Sequence, residues 1–209
     1  IYRHVYADKA QGGVLYKHLR CQKKRRKRYA GGRDRRGQII GRRPISERPN
    51  HVEKRRKIGH WEGDTLIGKG HKQAIVSLVE RKSGYAVLAK VKNKTADLVS
   101  NAIIDRLKPL MRKVSTLTYD NGKEFADHAS IDHALGSISY FADPYSSWQR
   151  GSNENLNGLI RQYIPKSRPL STVSDAELAK IEGLLNNRPR KRLGYKTPHE
   201  VFTKSFNPV

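Results

Sequence analysis

The spacing of hydrophobic residues divides the second part of the chain into distinct elements. After residue 60, three runs rich in β-branched and aliphatic residues are separated by glycine-containing turns, which predicts three antiparallel strands. These strands are expected at residues 61–67, 74–79 and 85–91. After Thr95 the apolar residues recur every three or four positions, which predicts a helix.

Strands and helices then alternate to the end of the chain. Short apolar runs predict strands at 116–119 and 138–141, on either side of a short helix at 124–135. Another helix is predicted at 152–163, and a capping box that opens at Ser174 predicts the start of the last long helix. The order β-β-β-α-β-α-β predicts an α/β fold with a mixed five-stranded sheet flanked by helices.

Positive charge is concentrated before this region. Residues 1–59 contain 20 Lys or Arg and 4 Asp or Glu, whereas the rest of the chain contains 23 and 15. The longest basic run is Lys23, Lys24, Arg25, Arg26, Lys27 and Arg28. A segment of this composition cannot bury a core of its own, so residues 1–58 are predicted to be a basic DNA-binding arm. Its beginning is compatible with the end of a truncated helix-turn-helix, and residues 59–209 form the predicted catalytic domain.

The composition narrows the class of partner. A net charge of +24 makes a polyanion the natural partner, and nucleic acid is favoured. The single cysteine, Cys21, excludes a disulfide framework and a zinc finger. No apolar run approaches the roughly 20 residues that cross a bilayer, so we expect no membrane partner and a cytoplasmic protein, associated with the nucleoid when bound to DNA. The chain begins at Ile1, inside a predicted helix, and we expect it to lack its natural amino terminus.

Three acidic residues stand out within this pattern. Asp64 lies in the first predicted strand, where aspartate is uncommon because its side chain competes for nearby backbone hydrogen bonds. Asp120 directly follows the fourth strand, and the two lie on neighbouring strands if this order folds in the ribonuclease H manner. Glu154 follows after 33 intervening residues, and Arg161 lies two helical turns further on.

The helix that carries Glu154 has two faces. The apolar face consists of Leu156, Leu159, Ile160 and Tyr163, and the opposite face of Glu154, Asn157, Gly158 and Arg161. For a lone glutamate, such a position is usually a solvated surface. Arg161 is expected to share the groove of Glu154, to contact a DNA phosphate and to contribute little to folding.

The motifs around these residues resemble a known family. Trp61-Glu62-Gly63-Asp64, Asp120-Asn121-Gly122-Lys123-Glu124-Phe125 and Asn153-Glu154 are similar to the Asp, Asp, Glu core of retroviral integrases and bacterial transposases. More narrowly, Phe141-Ala142-Asp143-Pro144, Trp148-Gln149-Arg150-Gly151 and Asn153-Glu154-Asn155 resemble transposases of the insertion-sequence-30 family. The resemblance implies a ribonuclease H-like fold and a DDE transposase that cleaves and joins DNA. It further implies a homo-oligomer that binds paired insertion-sequence ends and target DNA.

The same resemblance implies that Asp64, Asp120 and Glu154 are the catalytic residues and the metal ligands. Two hard divalent ions about 3.5–4 Å apart can activate the attacking oxygen and stabilise the leaving oxygen, and such ions select carboxylates. We therefore expect two Mg²⁺ ions, with Mn²⁺ as a substitute, and Asp64 as the bridge between them.

Other residues near the three carboxylates are not interpreted as metal ligands. Trp148 and Arg150 are predicted to lie beside the scissile DNA end, although packing of the loop explains Trp148 equally well. Glu62 shares the strand face of Asp64 and is interpreted as a supporting or structural residue rather than a ligand. Glu124 lies at a predicted helix start, where stabilisation of the helix dipole explains it equally well. His60 and His71 are interpreted as ordinary surface or hydrogen-bonded histidines.

Two other functions are compatible with the sequence. A ribonuclease H-like nuclease that only hydrolyses DNA would share the three carboxylates but would not join strands. A non-enzymatic basic nucleic-acid-binding protein would explain the charge of +24 but not the three motifs.

Overall fold

The computed structural model describes residues 1–18, 39–70 and 72–204. The chain divides into two compact units, Ile1–Arg35 and Arg36–Val209. In the first unit, helix α1 (Tyr2–Ala10) is followed by a 3-10 turn at Leu15–His18. The basic run predicted to contact DNA, Lys23 to Arg28, lies outside the described residues, as does His71.

A mixed five-stranded sheet is the centre of the second unit. Its strands are β1 (His60–Ile67), β2 (Ala74–Glu80), β3 (Ala86–Val91), β4 (Thr116–Tyr119) and β5 (Ile138–Phe141). They lie in the order β3-β2-β1-β4-β5, with the first three strands antiparallel and β4 and β5 parallel to β1. The predicted α/β class and the five predicted strands are confirmed.

Helices cover both faces of the sheet. They are α2 (Ala96–Leu107), α3 (His128–Leu135), α4 (Gly151–Tyr163), α5 (Asp175–Asn186) and α6 (Pro198–Lys204). The helix predicted at 124–135 is a 3-10 turn at Lys123–Phe125 followed by α3. The predicted N-cap of α5 is present, because Ser174 Oγ accepts a hydrogen bond of 3.1 Å from the amide of Glu177, while the Glu177 carboxylate pairs with Arg168.

The alternation of side chains along the strands creates two cores. In β2, Val76 and Leu78 pack on the side of α2 and α3, whereas Ile75 and Val79 pack on the side of α4 and α5. The same alternation in β1 directs Trp61 to the first core and Leu66 to the second. Residues 62 and 64 share the face of Leu66, so Glu62 and Asp64 point towards α4.

Residues 39–58 belong to the second unit, although the sequence assigned them to the basic arm. Arg48, which is 6% exposed, donates a hydrogen bond of 2.8 Å to Thr118 Oγ1 in β4 and pairs with Glu53. Val52 is fully buried. The second compact unit begins at Arg36, and the division into an arm and a catalytic domain at residue 58 stays a prediction. Because lysine and arginine are frequent in this segment, its composition does not reveal the few residues that pack against the rest of the unit.

Among the described residues, no helix combines the length and the apolar character that a membrane span requires.

His60 is a buried, hydrogen-bonded histidine, as expected. Its Nδ1 lies 2.9 Å from Thr116 Oγ1, and its ring meets that of His51 edge to face at 5.4 Å. Burial lowers the pKa of His60 to about 4, and the charges of His51, Arg81 and Arg48 act in the same direction. The imidazole is therefore neutral in the folded protein at neutral pH.

This pKa predicts a specific loss of stability in mild acid. The unfolded chain binds the His60 proton near pH 6.5 and the folded chain only near pH 4, so the unfolded state holds more protons between these values. We expect the free energy of unfolding to fall as the pH drops from 6.5 to 4, with at most about 3 kcal/mol from His60.

Urea unfolding at a series of pH values measures this effect. His60→Gln should flatten the pH dependence in this window, whereas His133→Gln, at an exposed position of α3, should preserve it. Equal slopes for the wild type and His60→Gln would contradict the assignment.

Candidate active site

Asp64 and Asp120 come together where β1 and β4 run side by side. The parallel register pairs Glu62 with Thr118, and each aspartate lies two residues beyond its partner in that pair. Arg150 bridges them: its Nη1 lies 3.3 Å from Asp64 Oδ2 and its Nη2 lies 3.4 Å from Asp120 Oδ2. The predicted proximity of the two aspartates is confirmed.

The glycine between Glu62 and Asp64 allows this close packing. A Cβ at Gly63 would lie 2.6 Å from the ring of Tyr119, the residue that precedes Asp120. Tyr119 is fully buried and stacks on Phe125, so its ring cannot move aside. Gly63 therefore lets β1 and the end of β4 bring their aspartates to the same place.

Arg150 is the cation of this site. Its side chain is only 10% exposed, and its Nη1 also lies 3.3 Å from the carbonyl of Gly63. It ends a 3-10 turn at Ser147–Arg150 that leads directly into α4. The sequence predicted that Arg150 contacts DNA, which stays a prediction, but in the structure its guanidinium is occupied by protein oxygens.

The environment of Asp64 opposes its negative charge. Burial raises the pKa of Asp64, and the charge of Asp120 adds to the rise, while Arg150 acts in the opposite direction. The amide of Thr65 donates to Asp64 Oδ1 at 2.8 Å. The net pKa is raised, so further positive charge placed here would stabilise the ionised pair.

A buried polar network joins α4 to the sheet beneath Asp64. Asn157 Nδ2 donates to Asp64 Oδ2 at 2.9 Å, and the hydroxyl of Ser77 is shared between Asn157 Oδ1 (2.8 Å) and Asn153 Oδ1 (3.1 Å). Asn153 also donates from its backbone amide to Glu62 Oε2 at 2.9 Å. These contacts fix the position of Asp64 from both β2 and α4.

The sequence pattern did not predict this network. It placed Asn157 on the face of α4 opposite the apolar one, included Asn153 only in the motif around Glu154, and assigned no role to Ser77. The apolar face was correct, because Leu156 and Ile160 are buried. The available signal was the four-residue spacing between the two asparagines, which puts them on one face of the helix beside these residues.

Glu154 lies on the exposed face of α4, apart from the two aspartates. In the part of the chain that the structure describes, no three His, Cys, Asp or Glu side chains form a group suited to a metal. Glu154 is nevertheless one helical turn before Asn157, whose amide bonds Asp64. That turn of α4 is therefore held against the site, and the catalytic role of Glu154 stays a prediction.

The guanidinium of Arg161 forms hydrogen bonds within the fold. Its Nη2 donates to the carbonyl of Ile67 at 2.7 Å and its Nη1 to that of Ile164 at 3.4 Å. Burial lowers the pKa of Arg161. These bonds tie the end of α4 to the end of β1, so they favour a contribution of Arg161 to the fold, and its effect on stability stays a prediction. A contact with a DNA phosphate stays a prediction.

The loop before α4 presents aromatic rings to solvent beside the aspartates. Trp148 is 71% exposed and Tyr145 is 75% exposed. Trp148 therefore does not pack the loop down, which removes one of the two explanations left open. The loop is closed instead by Gln149, which donates to Asp143 Oδ2 at 2.8 Å. A pocket of about 500 Å³ lies between this loop and Asp120.

Glu62 and Glu124 form hydrogen bonds and ion pairs beside the site. Glu62 is fully buried and lies 3.4 Å from Arg81 Nη1, in addition to its bond to α4. Glu124 accepts a hydrogen bond of 2.9 Å from Thr65 Oγ1 and pairs with Lys94 at 2.6 Å. Each carboxylate holds a neighbour of an aspartate in place.

Comparison with known proteins identifies related sequences and a related fold. No family model matches the chain. The chain is 45% identical over 207 residues to the transposase for insertion sequence element IS4351 of Bacteroides fragilis, which covers 99% of this chain and 64% of the relative. It is 42% identical over 167 residues to the transposase InsI for insertion sequence element IS30A of Escherichia coli, covering 79% of this chain and 43% of the relative.

A solved structure shares the architecture. The catalytic core domain of BIV integrase matches with a TM-score of 0.52 and 25% identity, over 70% of this chain and 95% of that domain. The ribonuclease H-like fold and the resemblance to insertion-sequence-30 transposases and integrase cores are thereby confirmed. The chain spans less than two thirds of the length of the transposases it matches.

The bridge made by Arg150 predicts coupled effects of mutations. Arg150→Gln leaves two neighbouring carboxylates without their cation and should lower the free energy of unfolding by about 1–3 kcal/mol. Asp120→Asn in the Arg150→Gln background removes the repulsion, so the double variant should lose less than the sum of the single variants.

Urea unfolding in the presence of a metal chelator provides the measurement. Lys123→Gln, which removes an exposed cation from the wall of the same pocket, should change stability by less than about 0.5 kcal/mol. Additive effects of the Arg150 and Asp120 substitutions would show that the bridge does not stabilise the fold.

Proposed function

Because this chain is related to insertion-sequence transposases along almost its whole length, we propose that it is the catalytic part of a DDE transposase. It would cleave DNA at insertion-sequence ends and transfer the cut strand to target DNA. The observation that carries this proposal is the pair of aspartates, Asp64 and Asp120, which one guanidinium joins at neighbouring strands of an integrase-like sheet.

The oxygen donors of the site fit a hard divalent cation. Asp64 and Asp120 already share one positive charge, and burial makes the ionised form of Asp64 costly without it. We propose that these aspartates and Glu154 hold two Mg²⁺ ions, for which Mn²⁺ can substitute. Bound ions would supply the positive charge that phosphoryl transfer requires at the attacking and leaving oxygens.

The residues around the aspartates would keep the site in a fixed geometry. Asn157 orients Asp64 through its 2.9 Å hydrogen bond, and Arg150 offsets the repulsion between the two carboxylates. Such orientation matters because an in-line displacement loses rate steeply when the reacting groups are misaligned. Water would first hydrolyse a phosphodiester at the DNA end, which leaves a 3′-hydroxyl and a 5′-phosphate. That hydroxyl would then attack a second phosphodiester, forming a new phosphorus–oxygen bond and displacing the 3′-hydroxyl of the attacked strand. No covalent bond between the protein and DNA is needed.

DNA would approach along the exposed loop before α4. Trp148 offers a ring on which the terminal base of a DNA end can stack, and the adjacent pocket ends at Asp120. Phosphate contacts are proposed for Arg150, Arg161 and the run from Lys23 to Arg28. The active form would be a homo-oligomer on paired DNA ends, located in the cytoplasm and associated with the nucleoid.

Amide substitutions test the three carboxylates. Asp64→Asn, Asp120→Asn and Glu154→Gln keep the shape of each side chain and remove its charge, so each should abolish cleavage and joining while DNA binding persists. The assay follows a labelled, pre-cut 3′-end oligonucleotide and a plasmid in Mg²⁺. Asp105→Asn, at an exposed position of α2, serves as the control and should retain full activity.

Each alternative has its own result in this assay. Metal-dependent nicking without joining would identify a hydrolytic nuclease, and binding without nicking would identify a non-enzymatic DNA-binding protein. Wild-type joining by Glu154→Gln alone would remove Glu154 from the site and leave the two aspartates in place.

A further inference from the structure

A second pocket lies beside α4 and has a strongly basic wall. Its volume is about 530 Å³, and the wall is formed by Arg55, Arg190, Lys191 and Arg192. The opposite wall includes Gly151 and Ser152, the first two residues of α4. We call this cavity the basic pocket. None of the residues in its wall has a role in the proposed chemistry.

The cations of the basic pocket repel one another. Among the described residues, none of the four forms an ion pair with a carboxylate. Burial lowers the pKa of Arg192, and the charge of Arg55 lowers it further. Burial likewise lowers the pKa of Arg190, together with the charges of Arg188 and Arg192. A bound anion would relieve this repulsion.

Backbone contacts hold two of these arginines in place. Arg190 Nη2 donates to the carbonyl of Leu185 at 3.1 Å, and Arg192 Nη1 donates to that of Lys82 at 2.8 Å. Arg55 has a φ of 49°, a left-handed conformation that is unfavourable for a residue with a side chain. The cluster is therefore built into the fold although its members repel one another.

The opposite wall supplies hydrogen-bond donors for an anion. Helix α4 begins at Gly151, and Arg150 before it makes no side-chain cap. The amide of Asn153 is bonded to Glu62, whereas the amides of Gly151 and Ser152 and the positive end of the helix dipole are directed towards the amino terminus. The hydroxyl oxygen of Ser152 is shielded from solvent and has no hydrogen-bond partner within the described residues. Both features suit an anion better than a cation or an apolar ligand.

The basic pocket adjoins the aspartates along the chain. Arg150, which bridges Asp64 and Asp120, directly precedes Gly151, so the first turn of α4 separates the two cavities. Glu154 lies on the exposed face of that same turn region. An extended polyanion that crosses the start of α4 would meet both cavities.

We propose that the basic pocket binds backbone phosphodiesters of the DNA strand that passes the aspartates. This inference rests on the proposed function for the identity of the polyanion. Four cations in an open cavity of about 530 Å³ match successive phosphates of a strand better than a single small anion.

The salt dependence of DNA binding tests this assignment. Arg55→Gln combined with Lys191→Gln removes two pocket cations whose side chains form no hydrogen bond to the backbone of residues 1–18, 39–70 or 72–204, unlike Arg190 and Arg192. Each lost phosphate contact lowers the slope of log K against log salt by about 0.9, so we expect a reduction of about 1 to 2. Binding is measured with a fluorescent duplex that has a recessed 3′ end, in chelator so that no cleavage occurs.

A matched variant controls for the general field of the protein. Lys108→Gln combined with Arg112→Gln removes the same charge from a 3-10 turn, Lys108–Lys113, which leads into β4 at the end opposite Asp120. Its slope should change by less than half as much. Equal changes in the two double variants would overturn the proposal. If the pocket pair unfolds, Lys191→Gln alone should still lower the slope by about 0.9.

The remaining outcomes separate this inference from the proposed function. Because the assay contains chelator, it does not depend on cleavage or joining. If the protein is inactive but the slope changes as expected, the basic pocket is still a DNA-binding site and the proposed function fails. If the protein is active but the slope does not change, the proposed function holds and the inference about the basic pocket fails. If inorganic phosphate alone raises the melting temperature of the wild type but not of the pocket pair, and the DNA slope is unchanged, the pocket binds a small anion and the proposal fails.

Discussion

The repulsion between Asp64 and Asp120 is the constraint around which the site is organised. Two carboxylates on neighbouring parallel strands can stay ionised only if positive charge and hydrogen-bond donors compensate for their burial. Arg150 supplies the charge and Asn157 supplies a donor, and both come from α4 or the turn before it. The packing of α4 on the sheet and the electrostatic stabilisation of the two aspartates therefore depend on the same residues.

Because of this dependence, the inner face of α4 carries both aliphatic and polar residues. Its inner face combines aliphatic packing at Leu156 and Ile160 with the buried amides of Asn153 and Asn157. A purely apolar face would bury as much surface but would remove the amide donor to Asp64 Oδ2 and both amide acceptors of the Ser77 hydroxyl, and losing such bonds is costly in a low-dielectric interior. The amino-terminal turn of the same helix lies between two cavities, one that reaches Asp120 and one lined with arginine. Structural and chemical roles thus meet on one element.

Some arginines stabilise the fold, although the composition alone would attribute them to nucleic-acid binding. Arg48 is buried between β4 and Glu53, and Arg161 closes the end of β1. In a chain with 43 Lys and Arg, such cations cannot be told apart by composition from those that remain in water. Burial distinguishes them, because a guanidinium that satisfies carbonyl or carboxylate oxygens no longer offers the same donors to DNA.

The sequence by itself determined the strands, most helix limits, the α/β class and the proximity of Asp64 to Asp120. These features depend on local periodicity, on capping residues and on the strand order, all of which are encoded within short segments. Only the tertiary structure decided that Arg150 bridges the aspartates, that Asn153 and Asn157 face the sheet, and that residues 39–58 pack on it. In the structure, Glu154 is exposed and does not join Asp64 and Asp120 in one group. The physical reason is that a polar side chain bonds to whichever partner three-dimensional packing brings near it, and for Asn157 and Asp64 that partner lies 93 residues away in sequence.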